Sequence, residues 1–255
     1  MLHSAKKFRD YRLAAGDEAA TLIGGIADLL FDDRTLETRY FVVDTGSWLP
    51  GRRVVISPQA ITRVAPEGEV LHTELDAQSV EESPSIEEHE PVSRKHQREL
   101  AAHYGWSPFV AYHPIAGAAL PTPAAAPMGA RPETTQEEPV AESDDEETHL
   151  RSLNETLGYA IAATDGELGH AEDFICDTTG WRFKHLIVDT RNLFPGGRKV
   201  LIPVDLIESV SWPGRTLSVS ITTEQIKNSP TYDPDRPVNA VDELRLYDYY
   251  GRPVY

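Results

Sequence analysis

Tyr40-Phe41-Val42-Val43-Asp44-Thr45-Gly46-Ser47-Trp48-Leu49-Pro50-Gly51-Arg52-Arg53-Val54-Val55-Ile56 is an apolar run closed by Asp-Thr, a loop ending in Pro-Gly, and a second apolar run opened by basic residues. That order is the signature of a strand, a wide turn and a returning strand. The chain writes the same unit again as His185-Leu186-Ile187-Val188-Asp189-Thr190-Arg191-Asn192-Leu193-Phe194-Pro195-Gly196-Gly197-Arg198-Lys199-Val200-Leu201-Ile202.

Outward from the hairpin, the agreement continues in both directions. Upstream, Gly24 aligns with Gly169, Asp28 with Asp173 and Asp32 with Asp177, in stretches that read as a strand followed by an acidic turn. An added glycine near Gly196 shifts the frame by a single residue, after which Arg52 meets Arg198, Ile56 meets Ile202 and Val64 meets Val210. Downstream, Leu71-x-Thr73-x-Leu75 matches Leu217-x-Val219-x-Ile221, the period-two alternation of a half-buried strand. Asp76 and Thr222 stand where a helix N-cap is wanted, with Gln225 in capping-box spacing from Thr222. Ser83-Pro84 and Ser229-Pro230 then stop each short helix, because proline disfavours helical geometry in the residue before it.

Each copy closes on a further helix. Ser93 and Asn239 are its expected N-caps, Gly105 and Gly251 its expected left-handed ends, and the pairs Leu100/Tyr104 and Leu246/Tyr250 its buried face against the module's own strands. Between the copies, from about Pro114 to His149, Pro, Ala, Thr and Glu dominate and the run ends in Glu142-Ser143-Asp144-Asp145-Glu146-Glu147. Such a segment buries too little apolar surface to offset its ordering entropy. The expected layout is a first module over 1–112, an acidic flexible linker over 113–149 and a second module over 150–255.

With 255 residues and 40% hydrophobic composition, the chain can fill two cores. A formal charge of -17 opposes nonspecific attraction to phosphate backbones and anionic lipid, so no nucleic-acid partner is expected. Cys176 is the single cysteine, which excludes an intramolecular disulfide and a thiolate metal cluster and fits a reducing, cytoplasmic setting. Arg9, Asp10 and Arg12 interrupt any apolar signal-peptide core, and no stretch approaches the ~20 apolar residues that span a bilayer.

The residue types that could carry chemistry each have a competing structural reading. Asp28, Asp32, Asp33, Asp173 and Asp177 resemble metal or acid/base carboxylates, yet aspartates between strands equally form turns, and no calcium-loop pattern surrounds them. Asp44 and Asp189 at strand ends take the same discount. His89, His96 and His103 recur every seventh residue, but Pro91 and the Ser93 cap oppose one helix through all three. The His185-Asp189 pair on an apolar strand is read as a structural contact, Cys176 as a buried inert thiol, and Gly24-Gly25 and Gly196-Gly197 as turn glycines. Neither the Rossmann nor the P-loop template fits. No catalytic residue, metal or cofactor is expected. Aromatics in loops and tails stand out instead: Trp48, Trp106 with Phe109 and Tyr112, and Tyr247, Tyr249, Tyr250 and Tyr255. Trp48, Trp106, Tyr112, Tyr249 and Tyr255 are the candidate partner contacts, since tryptophan and tyrosine are enriched at interface hot spots.

Taken in order, Gly-x-x-x-Asp, the strand ending in Val-Asp-Thr, the loop to Pro-Gly, Arg-x-Val-x-Ile, Ser-Pro after a short helix, and the Tyr-Gly tail resemble the PRC-barrel, in both modules. That domain forms the cytoplasmic part of the photosynthetic reaction centre H subunit and the C-terminal barrel of a ribosome maturation factor. The resemblance implies a mainly β bacterial protein of two small barrels in tandem, each with short helical segments in its C-terminal part. It implies a non-catalytic interaction or assembly role with a protein partner and possible self-association through the barrels; the absence of any long apolar stretch, unlike the membrane-anchored H subunit, adds the expectation of no integral membrane segment. As alternatives it implies a soluble accessory of a photosynthetic or respiratory electron-transfer complex, or a ribosome-maturation adaptor. The short strands and closely spaced turn signals agree independently with barrel-like β units.

Overall fold

A computed structural model describes residues 1–16, 21–84, 94–106, 149–190, 198–236 and 238–251. Met1–Val92 and His149–Tyr255 form one compact unit, and Ser93–Thr148 forms another. The first unit is mainly β and contains two seven-stranded sheets.

The first sheet holds β2 (Arg12–Ala15), β3 (Thr21–Asp32), β4 (Thr38–Asp44), β5 (Arg53–Ile56), β6 (Ile61–Ala65) and β7 (Val70–Thr73), in the order β5-β4-β3-β2-β7-β6. The second repeats it with β9 (Ala160–Ala163), β10 (Gly166–Asp177), β11 (Arg182–Asp189), β12 (Lys199–Pro203), β13 (Ile207–Ser211) and β14 (Thr216–Val219), in the order β12-β11-β10-β9-β14-β13. Neighbours are antiparallel except β2 with β7 and β9 with β14. The end strands, β5 and β6 in one sheet and β12 and β13 in the other, do not pair with each other among the described residues.

The seventh strand of each sheet comes from the other module. β1 (Leu2–Ser4) pairs with β10, in register Leu2 to Asp177, His3 to Cys176 and Ser4 to Ile175. β8 (Leu150–Ser152) pairs with β3, in register Leu150 to Asp32, Arg151 to Phe31 and Ser152 to Leu30. The exchange is reciprocal, so each sheet is completed by the opening residues of its neighbour.

The apolar runs account for the core. Tyr40, Phe41, Val42 and Val43 of β4 and Leu186, Ile187 and Val188 of β11 are all buried, as a central strand covered on both faces must be. The turns that follow β3 and β10 meet: Glu37 bridges Arg182, Thr38 N donates to Trp181 O at 2.7 Å, and Phe183 N donates to Leu36 O at 2.8 Å. Leu36 and Trp181, which occupy equivalent positions, both adopt left-handed backbone, with φ 57° and 51°. Around this contact Phe31 packs on Phe174 and Phe183, and Trp181 packs on Phe8 and Phe41 with centroids 5.6 and 5.0 Å away. The two sheets therefore share aromatic packing at their junction.

Local helix signals hold where they fall on described residues. Asp76 accepts Ser79 N at the start of α1 (Ala77–Glu81). The next helix, α2 (Arg94–Tyr104), belongs to the other compact unit. Ser152 caps α3 (Leu153–Thr156), and Thr222 and Gln225 form a capping box on α4 (Thr223–Asn228). Asn239 and Asp242 form another on α5 (Ala240–Tyr250), which ends at left-handed Gly251. Leu246 and Tyr250 of α5 join Ile175, Ile187, Leu201 and Leu2, so this tail does pack on its own module's strands. Within the second unit, Trp106 stacks on Tyr104 at 4.3 Å after α2. Ser93, the expected cap of α2, lies outside the described residues.

Candidate functional site

The Asp-Thr to Pro-Gly stretch is held shut by its threonine. Thr45 Oγ1 lies 2.7 Å from the Leu49 and Arg52 carbonyl oxygens, and Thr190 Oγ1 donates to Arg198 O at 2.8 Å. Asp44 Oδ1 accepts Gly46 N at 2.9 Å, the turn role expected of it. The arginine that follows binds a carbonyl at the C-terminal end of each short helix, Arg52 at Glu81 and Ser83, Arg198 at Lys227. A cation there satisfies orphan carbonyls and meets the negative end of the helix dipole.

Gly24 requires a correction, since it lies within β3 and not in a turn, as does Gly25. A Cβ on Gly24 would stand 2.0 Å from Asp44 O, and one on Gly169 2.3 Å from Asp189 O. The repeated glycine exists because the Asp-Thr strand passes against it. Gly196 and Gly197 lie outside the described residues.

Asp28 and Asp173 also depart from the turn reading. Each sits just past a β-bulge, at Ile26/Asp28 and Ala171/Asp173, which interrupts strand alternation. Asp28 Oδ2 accepts the Ser152 hydroxyl at 2.5 Å, and its Oδ1 accepts Asn154 N at 3.1 Å and Leu29 N at 2.8 Å. Asp173 Oδ2 accepts the Ser4 hydroxyl at 2.5 Å, and its Oδ1 accepts Lys6 N at 2.9 Å and Phe174 N at 2.7 Å. The serines are themselves acceptors, for Lys7 N at 3.2 Å and Glu155 N at 3.0 Å. Each aspartate is thus a socket for the strand that arrives from the other module. Burial pushes both carboxyls above the ordinary aspartate value, against the opposing effect of these hydrogen bonds.

Asp32 and Asp177 do shape turns, accepting Arg34 N and Thr179 N at 3.0 Å. Asp177 also receives the Met1 ammonium at 2.9 Å. Asp33 gathers His149 Nδ1 at 2.9 Å, Arg151 Nε at 3.1 Å and Trp212 Nε1 at 3.2 Å, and Arg151 lies over the Trp212 ring at 4.7 Å. This cluster fastens β8 beside β3 and ties both to the β13–β14 hairpin. His185 is fully buried, and its Nε2 lies 3.2 Å from Glu243 of α5, so its partner is Glu243 and not Asp189. Residues four apart on an extended strand are separated by about 13 Å, which rules out the shorter pairing.

His170, Glu172 and Asp189 bring three ligand-type atoms within 4.8 Å of one another. Glu172 Oε1 receives Lys199 Nζ at 3.1 Å and Lys6 Nζ at 3.4 Å, and the carboxyl is held below its usual range by these donors despite burial. Glu172 is thus already ion-paired by two lysines in this group. His89 lies outside the described residues, while His96 faces Glu99 at 3.9 Å and His103 packs on Tyr104. Cys176 is buried in β10, and burial pushes its thiol up to about 12.

Of the candidate partner contacts, Trp48 is half-buried in the hairpin loop and Trp106 is half-buried on Tyr104. Tyr249 is 37% exposed and donates its hydroxyl to Gln225 O at 2.8 Å. Tyr112 and Tyr255 lie outside the described residues, as does Phe109. Sequence reading missed the residues that join the modules, Ser4, Lys6, Ser152, Asn154, Trp181 and Trp212. One signal was present: Leu2-x-Ser4 and Leu150-x-Ser152 stand at equivalent places ahead of the two strands.

No protein-family model matches the chain, and no curated protein sequence matches it. No helix among the described residues is long and apolar enough to cross a membrane.

Proposed function

We propose that the protein is a non-catalytic assembly module, built from two PRC-type barrels over 1–112 and 150–255 joined by an acidic linker, and acting on a protein partner. The observation that carries the reading is the pair of sockets. Two of the carboxylates that recur between modules, Asp28 and Asp173, each bind a serine hydroxyl and a backbone N–H of the exchanged strand segment. Other repeated polar residues also build the fold: Thr45 with Thr190 and Arg52 with Arg198 close hairpins and cap helices, and Asp32 with Asp177 shape turns. What is duplicated is therefore construction, and the positions that differ between copies are where a partner would be distinguished. Trp48 is one of these, standing opposite Leu193 of the second copy.

Affinity capture with the tagged chain from its source cells tests this. The expected result is one reproducible partner that is lost with Trp48→Ala while the melting temperature stays within about 2 °C of wild type. Turnover of a substrate by the purified chain, abolished by Asp28→Asn or Asp173→Asn without loss of folding, would overturn it.

A further inference from the structure

A partly open cleft lies between the segment that follows α4 and the face of α5. Its floor is apolar: Leu201 from β12, Leu246 from α5, and Val238, all part of or packed against the Ile175–Ile187 cluster. Tyr232 lines one wall, and burial pushes its hydroxyl up to about 12, so it remains a neutral donor. Arg236 and Arg245 stand exposed at the rim.

The charges around this cleft are not equally engaged. Asp242 accepts Asn239 N at 3.4 Å in the capping box of α5, where the helix N-terminus also favours a negative charge. Asp233 Oδ1 accepts Asp235 N at 3.0 Å in the preceding turn. Neither arginine side chain has an ion pair or hydrogen bond among the described residues. A guanidinium presents a planar fork of donors matched to a carboxylate, which gives such a pair geometric specificity as well as charge.

The internal repeat does not carry these arginines in both copies. In the frame that aligns Leu100 with Leu246 and Pro91 with Pro237, the first module keeps the floor residues as Val55, Val92 and Leu100. At the two arginine positions it carries Glu90 and Glu99. The apolar character of these positions persists in the sequence, while the charge at both arginine positions is reversed. Of the two copies, the second alone carries arginines at both positions.

We infer that this cleft binds a carboxylate attached to an apolar side chain, the chemistry of a protein chain's C-terminus, with Arg236 and Arg245 holding the carboxylate and Leu201, Val238 and Leu246 receiving the side chain. The cleft is open on one side, which suits the last residue of a chain that continues into solvent. The inference rests on the assembly reading and names the part of the partner that this surface would take.

Isothermal titration of the full chain with an acetylated tripeptide of two alanines and a C-terminal phenylalanine is the test, with the same peptide as its C-terminal amide for comparison. Saturable binding of the acid is expected, with the amide at least about tenfold weaker, a loss of roughly 1.4 kcal/mol. Arg236→Gln and Arg245→Gln should each weaken the acid about fivefold and leave the amide unchanged, with the melting temperature unaltered because both side chains are exposed. Equal binding of acid and amide, wild-type affinity in the double variant, or no saturation by about 5 mM peptide would overturn the inference. If the captured partner still binds the double variant, this inference falls and the assembly reading stands.

Discussion

The sockets at Asp28 and Asp173 make the same primary bonds in different surroundings. Each aspartate takes a serine hydroxyl and a backbone N–H from the exchanged segment, but the bulged residue beside it differs. In the first sheet that residue is Ala27, and its carbonyl accepts Asn154 Nδ2 at 2.9 Å. In the second it is Glu172, whose carboxylate meets Lys6 at 3.4 Å and Lys199 at 3.1 Å. Asp173 is also the more deeply enclosed, at 5% exposed, while Asp28 is half-buried. The bonds that hold the two modules together have been kept, and the contacts around them have been free to change. A partly exposed ion pair contributes at most about 1 kcal/mol and is screened by salt. The Glu172 network is therefore a variation laid over the joint, not the joint itself.

The largest expected effect comes from the position the sockets share with the hairpins. Gly169→Val places a side chain on left-handed backbone, φ 71°, and against Asp189 O. Gly24→Val meets the equivalent carbonyl of Asp44 without the left-handed penalty. Each should cost roughly 4 kcal/mol or more, in the range of single changes that abolish folding, with Gly169→Val the worse. Urea unfolding, or the soluble yield where no folded protein survives, reads the difference. Near-wild-type stability in either variant would show that β3 and β10 can move off their neighbours.

Next in size, Asp173→Ala strands the Ser4 hydroxyl and the Lys6 and Phe174 amides in a buried place. Asp28→Ala does the same to Ser152, Asn154 and Leu29 nearer to water. Unsatisfied buried donors cost about 1–3 kcal/mol, so Asp173→Ala should lie at the upper end of that range and Asp28→Ala at the lower. Equal losses in urea midpoints would mean that enclosure does not separate the two sockets.

How far the sequence reveals these sockets follows from the range of the interactions. Asp76, Thr222, Asn239 and Gly251 could be read as caps because cap chemistry closes within a few residues. The strands Thr38–Asp44 and Arg53–Ile56 could be read from their apolar runs. β1 and β8 could not, because three residues are too few to show alternation and their partner strands belong to the other module. The inward direction of Asp28 and Asp173 depends on a bulge, which shifts every later residue against simple alternation. His185 finds Glu243 across the sheet–helix packing, 58 residues away, where no local rule reaches.

The smallest effect is one of pH. Asp28 and Asp173 have folded-state values above the ordinary 3.8, with burial the largest cause in each. A carboxyl raised in this way holds its proton more tightly in the folded chain than in the unfolded one. Its contribution to stability is present in full below the unfolded value and is lost as pH climbs through the folded value. Replacing both by asparagine removes the titrations while leaving an amide that imitates the protonated acid, and every other carboxylate is common to the two proteins. The melting temperature of wild type relative to the Asp28→Asn/Asp173→Asn variant should therefore fall as pH rises from below 3.8 toward neutral. Removing only Asp173 should capture more of that slope than removing only Asp28, because Asp173 is the more enclosed. A difference between wild type and variant that stays constant across the range would mean that the hydrogen bonds from Ser4, Lys6, Ser152 and Asn154 offset burial completely. The sockets would then hold their strands equally well as carboxylates.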